Sequence, residues 1–312
     1  MKPASRTHFS EKAKGEAHNA IERCRAFGDV LDIDDAEEPI LGPQVRTAIY
    51  EWLVEIRARD ELFAAKCSPR RSALLYGPPG TGKTTLAHHL AARLGVPLIA
   101  VRSEMLVDKF LGSTGRNIAE LFSQLDLIGD AAVVLFDEID ALGSKRGAGD
   151  SGAGKEQNAF LTTLLTRVES FSGFMLAATN RKDSLDAALW RRFGMQIDVA
   201  LPGFEERYAI CARYLDPFAL PEEALGLIAE AAEGASPSLL RQVMEGVKRA
   251  IILAPRLKRD VSDAGAMLWQ IVRQVAPPPE FEAPAMWAMD GPRFAKTFAG
   301  LAWPPIRKGQ DA

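Results

Sequence analysis

Three cysteines in 312 residues, Cys24, Cys67 and Cys211, are too few and too scattered for a disulfide framework or a zinc site. Histidine is as scarce: His8, His18, His88 and His89 add no ligand cluster, and the sequence contains no His-Glu-x-x-His motif of a zinc protease. No apolar run approaches the roughly 18 residues that a membrane span requires. The opening Met-Lys-Pro-Ala-Ser-Arg-Thr-His lacks the apolar core of a secretory leader. These absences predict a soluble, cytoplasmic protein with no membrane partner. Neither sign of charge dominates, with 38 Lys and Arg against 41 Asp and Glu and a net charge of −3, so the overall balance makes nucleic acid an unlikely main partner. What the chain does have is apolar content: 47% hydrophobic residues over this length suffice for a large core, in one large domain or two smaller ones.

Residues 1–30 mix Lys, Glu, Arg and Ala with little sustained period, which predicts an N-terminal arm, a frayed helix or a mobile segment. Val45, Ile49, Trp52, Leu53, Ile56 and Phe63 fall largely at helical spacing and predict one amphipathic helix from Val45 to Phe63. Apolar runs at Ala73–Tyr76, Pro97–Val101, Ala132–Phe136, Phe174–Ala178 and Met195–Val199 alternate with helical stretches. That alternation predicts an α/β fold with a five-stranded parallel sheet covered on both faces. Strand signals stop after Leu201-Pro202-Gly203. Helical patterns then run over Glu205–Tyr214, Glu222–Ala232, Ser236–Leu253 and Asp260–Val275, and Ser236 followed by Pro237 is a capping hydroxyl with proline at the first helical position. The tail beyond Pro277-Pro278-Pro279 carries Phe281, Trp287, Phe294, Phe298 and Trp303, too aromatic for a free linker, and is expected to pack on a folded body. The expected organisation is an arm over 1–30, a large α/β domain over 31–202, a small all-helical domain over 203–276 and an aromatic tail over 277–312.

Residues 77–84 read Gly77-Pro78-Pro79-Gly80-Thr81-Gly82-Lys83-Thr84, between the first apolar strand and a helical pattern of Leu86, Ala87, Leu90, Ala91 and Leu94. Glycines at 77, 80 and 82 let successive backbone N–H groups turn inward, and the positive end of the following helix adds to the field they make. The pattern predicts a nucleoside triphosphate, ATP, with Lys83 reaching the β- and γ-phosphates and the Thr84 hydroxyl on magnesium. Val133-Val134-Leu135-Phe136-Asp137-Glu138 is a buried strand ending in two carboxylates, at the strand edge where a parallel sheet binds its ligands. Asp137 suits the magnesium shell, through water, and Glu138 suits polarising the water that attacks the γ-phosphate.

With the stretch Ala177-Ala178-Thr179-Asn180-Arg181-Lys182-Asp183-Ser184-Leu185-Asp186-Ala187-Ala188-Leu189, these motifs resemble the AAA branch of the AAA+ ATPases and its second region of homology, over about residues 30 to 275. The resemblance implies a P-loop NTPase domain followed by a helical lid domain, assembly into a homo-oligomer, a hexamer, and ATP hydrolysis at subunit interfaces. It implies that Asn180 is the first sensor and that Arg191 or Arg192 is an arginine finger reaching the neighbouring subunit's nucleotide. Many members separate those two arginines by a proline-glycine pair, whereas here they are adjacent, so the finger stays unassigned between them. Arg241, in Gly234-Ala235-Ser236-Pro237-Ser238-Leu239-Leu240-Arg241, matches a second sensor contacting the γ-phosphate, with a solvated helix face as the alternative.

Lys109-Phe110-Leu111-Gly112 lies where ring-forming relatives carry a pore loop that grips extended polypeptide, and Gly147–Gly154 lies where a second pore loop would be. The longer segment through Ser113-Thr114-Gly115-Arg116 is similar to that of the thyroid-receptor-interactor-like ATPases, which implies a protein substrate with a HORMA domain in bacterial anti-phage signalling. Two alternatives stay open: a DNA-associated ATPase switch for transposition or loading, which would require a basic pore loop, and an activase of a metabolic enzyme.

Overall fold

The computed structural model describes residues 11–106, 113–140 and 162–309, which divide into two compact units. The first comprises the chain up to Pro39, Pro43–Gly77 and Lys83–Val199; the second comprises Ile40–Gly42, Pro78–Gly82 and the chain from Ala200.

The first unit is built on a six-stranded sheet: β1 Gly28–Leu31, β2 Ser72–Tyr76, β3 Leu98–Arg102, β4 Val133–Asp137, β5 Phe174–Thr179 and β6 Met195–Asp198, in the order β1-β3-β4-β5-β2-β6. The five expected strands are present and parallel, each within about a residue of its expected bounds. The sixth corrects the expectation of a five-stranded sheet: β1 pairs antiparallel with β3, Gly28 opposite Val101 and Leu31 opposite Leu98. The central strands are buried on both faces, with Leu74, Leu75 and Val133 through Phe136 all fully enclosed, as a parallel sheet covered by helices requires.

Residues 11–30 are likewise no loose arm. Helix α1 (Glu11–Cys24) presents Ala20 and Cys24, at helical spacing, to the core that also holds Phe27 and Val30. The amphipathic helix expected over Val45–Phe63 is two, α2 (Pro43–Arg57) and α3 (Arg59–Ala64), broken at Ala58. Val45, Ile49, Trp52, Leu53 and Ile56 are buried as expected, while Phe63 beyond the break is 50% exposed. Trp52 Nε1 donates to Arg70 O at 2.8 Å and Glu55 pairs with Arg70, so α2 is pinned to the lead-in of β2. The described residues of the unit also form helices α4 (Lys83–Leu94), α5 (Ser103–Leu106), α6 (Ser113–Ile128), α7 (residues 162–170) and α8 (Ala187–Trp190).

In the second unit, helices α9 (Phe204–Leu215), α10 (Glu222–Ala231), α11 (Pro237–Leu257) and α12 (Ala264–Gln274) surround one apolar core. Ser236 caps α11, accepting from Leu239 N at 3.4 Å with Pro237 at the first position. The tail is part of this core. Short helices α13 (Ala285–Ala288) and α14 (Gly291–Thr297), with the residue just beyond, add Met286, Trp287, Phe294 and Phe298 to the core that also holds Leu240, Met244 and Leu268. Trp287 Nε1 donates to Val275 O at 2.6 Å and Trp303 Nε1 to Val261 O at 2.8 Å, which satisfies both indoles. The unit is not all helical: β7 (Phe218–Ala219) pairs antiparallel with β8 (Ile306–Arg307), two residues each.

Candidate functional site

Strand register brings the expected groups to one edge of the sheet. Tyr76, at the end of β2, lies opposite Thr179 of β5 and Asp198 of β6, and Arg102 of β3 lies opposite Asp137 of β4. The glycine-rich loop, the acidic pair and the Asn180 turn therefore leave the sheet side by side, at the ends where parallel sheets bind ligands.

Gly77 has φ +146°, and a Cβ there would stand 2.3 Å from the Val199 carbonyl oxygen, so only glycine fits the exit from β2. Lys83, the first residue of α4, is 7% exposed, and its Nζ donates to Gly77 O at 2.9 Å. Burial pushes its ammonium down to about 8, against the opposing pull of the Asp137 and Asp140 carboxylates. A buried cation at the N-terminus of a helix is an arrangement that attracts phosphate.

The Thr84 hydroxyl donates to Asp137 Oδ2 at 2.7 Å, and the other carboxylate oxygen accepts from Glu138 N at 3.0 Å. Glu138 is exposed and holds a left-handed backbone, φ +51°. Beneath it the buried Ser103 hydroxyl lies 2.7 Å from Asp137 O and 3.1 Å from Glu138 O. One strand over, the Thr179 hydroxyl donates to Asp140 Oδ1 at 2.7 Å and accepts from Arg181 N at 3.0 Å, fixing the turn that carries half-buried Asn180. Ser103, Thr179 and Asp140 were not among the expected site residues. Their only trace in the sequence is a hydroxyl or carboxylate at or just beyond a strand end.

The donor set fits ATP with magnesium. Thr84 and Asp137 offer hard oxygen ligands 2.7 Å apart beside a buried ammonium. Among the described residues no group of three His, Cys, Asp or Glu side chains could hold a metal. A magnesium ion that takes most of its ligands from phosphates and water needs none.

Within the second unit, Gly80 and Gly82 have φ +75° and +88°, the Thr81 hydroxyl donates to Pro78 O at 3.0 Å, and Gly80 O accepts from Ser238 N at 3.2 Å. Pro79 is half-buried in the same turn. Arg241, on α11, donates through Nε to Glu245 Oε1 at 2.8 Å, and its guanidinium lies 5.1 Å from the Tyr214 ring centroid.

Arg191 and Arg192 lie elsewhere on the first unit. Asp186 caps α8, accepting from Ala188 N at 2.7 Å, and the two arginines follow its end. They line a hollow of about 300 Å³ with Arg71, Ser72, Glu169 and Met175, at the starts of β2 and β5 rather than their ends. Arg71 is paired with Asp130 at 2.9 Å and Arg192 with Glu169 at 3.4 Å, whereas the Arg191 guanidinium has no ion pair among the described residues. Lys109, Phe110 and Leu111, with Gly112, and the Gly147–Gly154 stretch lie outside the described residues.

Residues 73–201 match the family described as "ATPase family associated with various cellular activities (AAA)". The chain is 41% identical over 228 residues to the proteasome-activating nucleotidase of Thermococcus onnurineus, covering 69% of this chain and 57% of that protein. It is 34% identical over 243 residues to the ATP-dependent zinc metalloprotease FtsH 3 of Symbiobacterium thermophilum, covering 76% and 37%. To the FtsH metalloprotease of a Synechococcus species it is 37% identical over 190 residues, covering 59% and 28%. The chain thus spans between 28% and 57% of the length of these relatives. With the loop, the acidic pair and the sheet order all in place, residues 73–201 are an AAA ATPase domain.

Proposed function

We propose that the chain acts as a homo-oligomeric ring ATPase, a hexamer, that spends ATP hydrolysis on remodelling or unfolding a protein partner. The observation that carries this reading is the placement of Arg191 and Arg192. They line the hollow at the strand starts and are not among the groups gathered at the phosphate-binding edge, the arrangement expected of arginines that serve the nucleotide of a neighbouring copy. The site is complete only when a second copy supplies an arginine.

Each residue then has a task. The loop Gly77–Thr84 presents its amides and the Lys83 ammonium to the β- and γ-phosphates, and Thr84 with Asp137 holds the magnesium shell. Bound magnesium would neutralise charge between those phosphates. Glu138 accepts a proton from the attacking water, and the Ser103 hydroxyl, 3.1 Å from its backbone carbonyl, steadies the turn that carries it. Asn180 orients that water. Arg191 of the neighbouring copy meets the charge that develops on the transferred phosphoryl group. Arg191 is preferred over Arg192 because Glu169 already holds the latter. A second-sensor role for Arg241 requires its guanidinium to leave Glu245.

A protein substrate is favoured by the relatives: one is named for activating a proteasome and the others as ATP-dependent proteases. The pore role of Phe110, flanked by Lys109 and Leu111, and the finer reading of a HORMA-domain partner in anti-phage signalling rest on the sequence resemblance alone. The test is ATP hydrolysis by the purified chain with a HORMA-domain protein, an unfolded model protein, single-stranded DNA and duplex DNA added in turn, and Glu138→Gln as control. Stimulation by either protein supports a remodeller, and by the HORMA protein alone the finer reading. Stimulation by DNA alone makes a DNA-associated switch the better account.

A further inference from the structure

Trp190 has no task in the scheme above, yet it occupies a junction. It is the last residue of α8 and directly precedes Arg191. Its half-buried ring packs on Tyr76, centroids 5.1 Å apart and planes tilted by 53°, and its carbonyl accepts from Gln196 Nε2 at 3.1 Å. Tyr76 in turn ends β2, one residue before Gly77, and Lys182 Nζ lies 5.7 Å from its ring centroid, two residues beyond Asn180. One aromatic pair therefore ties together the strand that feeds the phosphate loop, the turn that carries Asn180 and the helix that delivers Arg191.

Helix α8 is four residues long, barely one turn, and a helix so short has no rigidity of its own. Its direction is set from outside: Asp186 caps its start, and the Tyr76 contact with the Gln196 hydrogen bond holds its end. We infer that Trp190 is a positioning residue for the reaction in the adjoining subunit: seated on Tyr76, its ring aims Arg191 at the neighbour's nucleotide. This rests on the ring reading above. A group that stabilises a transition state must be placed within about 1 Å, and such a misplacement lowers a rate about 100-fold.

In the full-length chain, Trp190→Ala is expected to lower kcat about 30- to 100-fold while affinity for a non-hydrolysable ATP analogue stays within about twofold. Trp190→Phe keeps a ring to seat on Tyr76 and should retain about half of wild-type turnover. The decisive measurement mixes Trp190→Ala with Glu138→Gln, two proteins that barely turn over alone. The first has an intact phosphate-binding edge and the second an intact, well-aimed Arg191, so mixed rings should regain about a tenth or more of wild-type turnover. Wild-type turnover in Trp190→Ala overturns the inference. So does a loss that mixing fails to restore, since the ring would then act on its own loop or on folding. Arg191→Ala run in parallel separates the two readings: if it is rescued and Trp190→Ala is not, only the inference about Trp190 fails. If Arg191→Ala turns over normally, the assignment of the finger to Arg191 fails and the inference about Trp190 with it; if it loses turnover and is not rescued either, the ring reading fails as well.

Discussion

At the ends of β2, β4 and β5 the first unit gathers Lys83, Thr84, Asp137 and Glu138, whereas at the starts of β2 and β5 it gathers Arg71, Arg191, Arg192 and Glu169. The first set is closed on itself. Thr84, Asp137 and Glu138 are joined by hydrogen bonds of 2.7 and 3.0 Å, and Lys83, almost fully enclosed, donates to Gly77 O at 2.9 Å. The second set is open: Arg192 and Glu169 are 42% and 61% exposed, a hollow of about 300 Å³ lies among the side chains, and Arg191 has no charged partner among the described residues. A group aimed at a ligand inside its own chain must be preorganised before the ligand comes, while a group aimed at another subunit completes its environment only on assembly. Under the proposed ring, the two ends of one sheet would be the two halves of a site that two copies share.

Four measurements would break or sharpen that contrast. The largest effect is expected at the open end: Arg191→Ala should lower kcat about 10³-fold with nucleotide affinity nearly unchanged, and Arg192→Ala by less than about 10-fold. Equal losses would erase the distinction drawn between them. At the closed end, Thr84→Ala should raise the magnesium concentration for half-maximal turnover about 10- to 100-fold, read from a magnesium titration at saturating ATP. An unchanged titration would remove Thr84 from the metal shell.

The third measurement is the pH dependence of binding. Lys83 is pushed down to about 8 by burial, so in the nucleotide-free protein its charge is present below that pH and lost above it. Phosphate binding needs the charge, and the dissociation constant of an ATP analogue should rise about tenfold between pH 7 and pH 9, with proton uptake on binding. The fold itself runs the other way. The unfolded chain holds this proton up to about 10.5, so the unliganded protein gains stability from Lys83 as pH rises from about 8 towards 10.5. A flat affinity profile would mean that Lys83 keeps its charge throughout. The smallest effect is expected for Glu169→Gln, because an exposed ion pair contributes about 0 to 1 kcal/mol. Turnover should stay within about twofold, and a sharp fall would show that the Glu169–Arg192 pair is part of the finger's seat.

Strands β2 to β5 were legible because each is an apolar run buried on both faces with a turn signal at its end, whereas β6, expected as a buried strand too, lies at the sheet edge and buries only Ile197. Strand β1 was not, since Gly28–Leu31 is a four-residue edge with alternating burial, and its pairing with β3 is made across about 70 residues of sequence. The break at Ala58 was hidden because Phe63 keeps the helical spacing while α2 is anchored through Trp52 and Glu55 to Arg70. Among site residues, those in contiguous motifs could be read directly. Ser103, Asp140 and the Tyr76–Trp190 pair could not, because each acts through a neighbour in space that the chain order does not announce. The choice between Arg191 and Arg192 likewise waited on where Glu169 lies.

Glu138 stands in a left-handed backbone that L side chains seldom adopt and that disfavours a glutamate by about 1 to 2 kcal/mol. Glycine or asparagine would sit there more comfortably. The wild-type sequence therefore gives up thermal resistance at the position for which we propose a carboxylate beside the attacking water. Melting temperature and turnover should move in opposite directions at this site: Glu138→Gly should be dead as an enzyme and yet melt higher than the protein it came from. A search for heat-resistant variants that ignored activity would be drawn to this residue early, and would destroy the enzyme in the act of improving its fold.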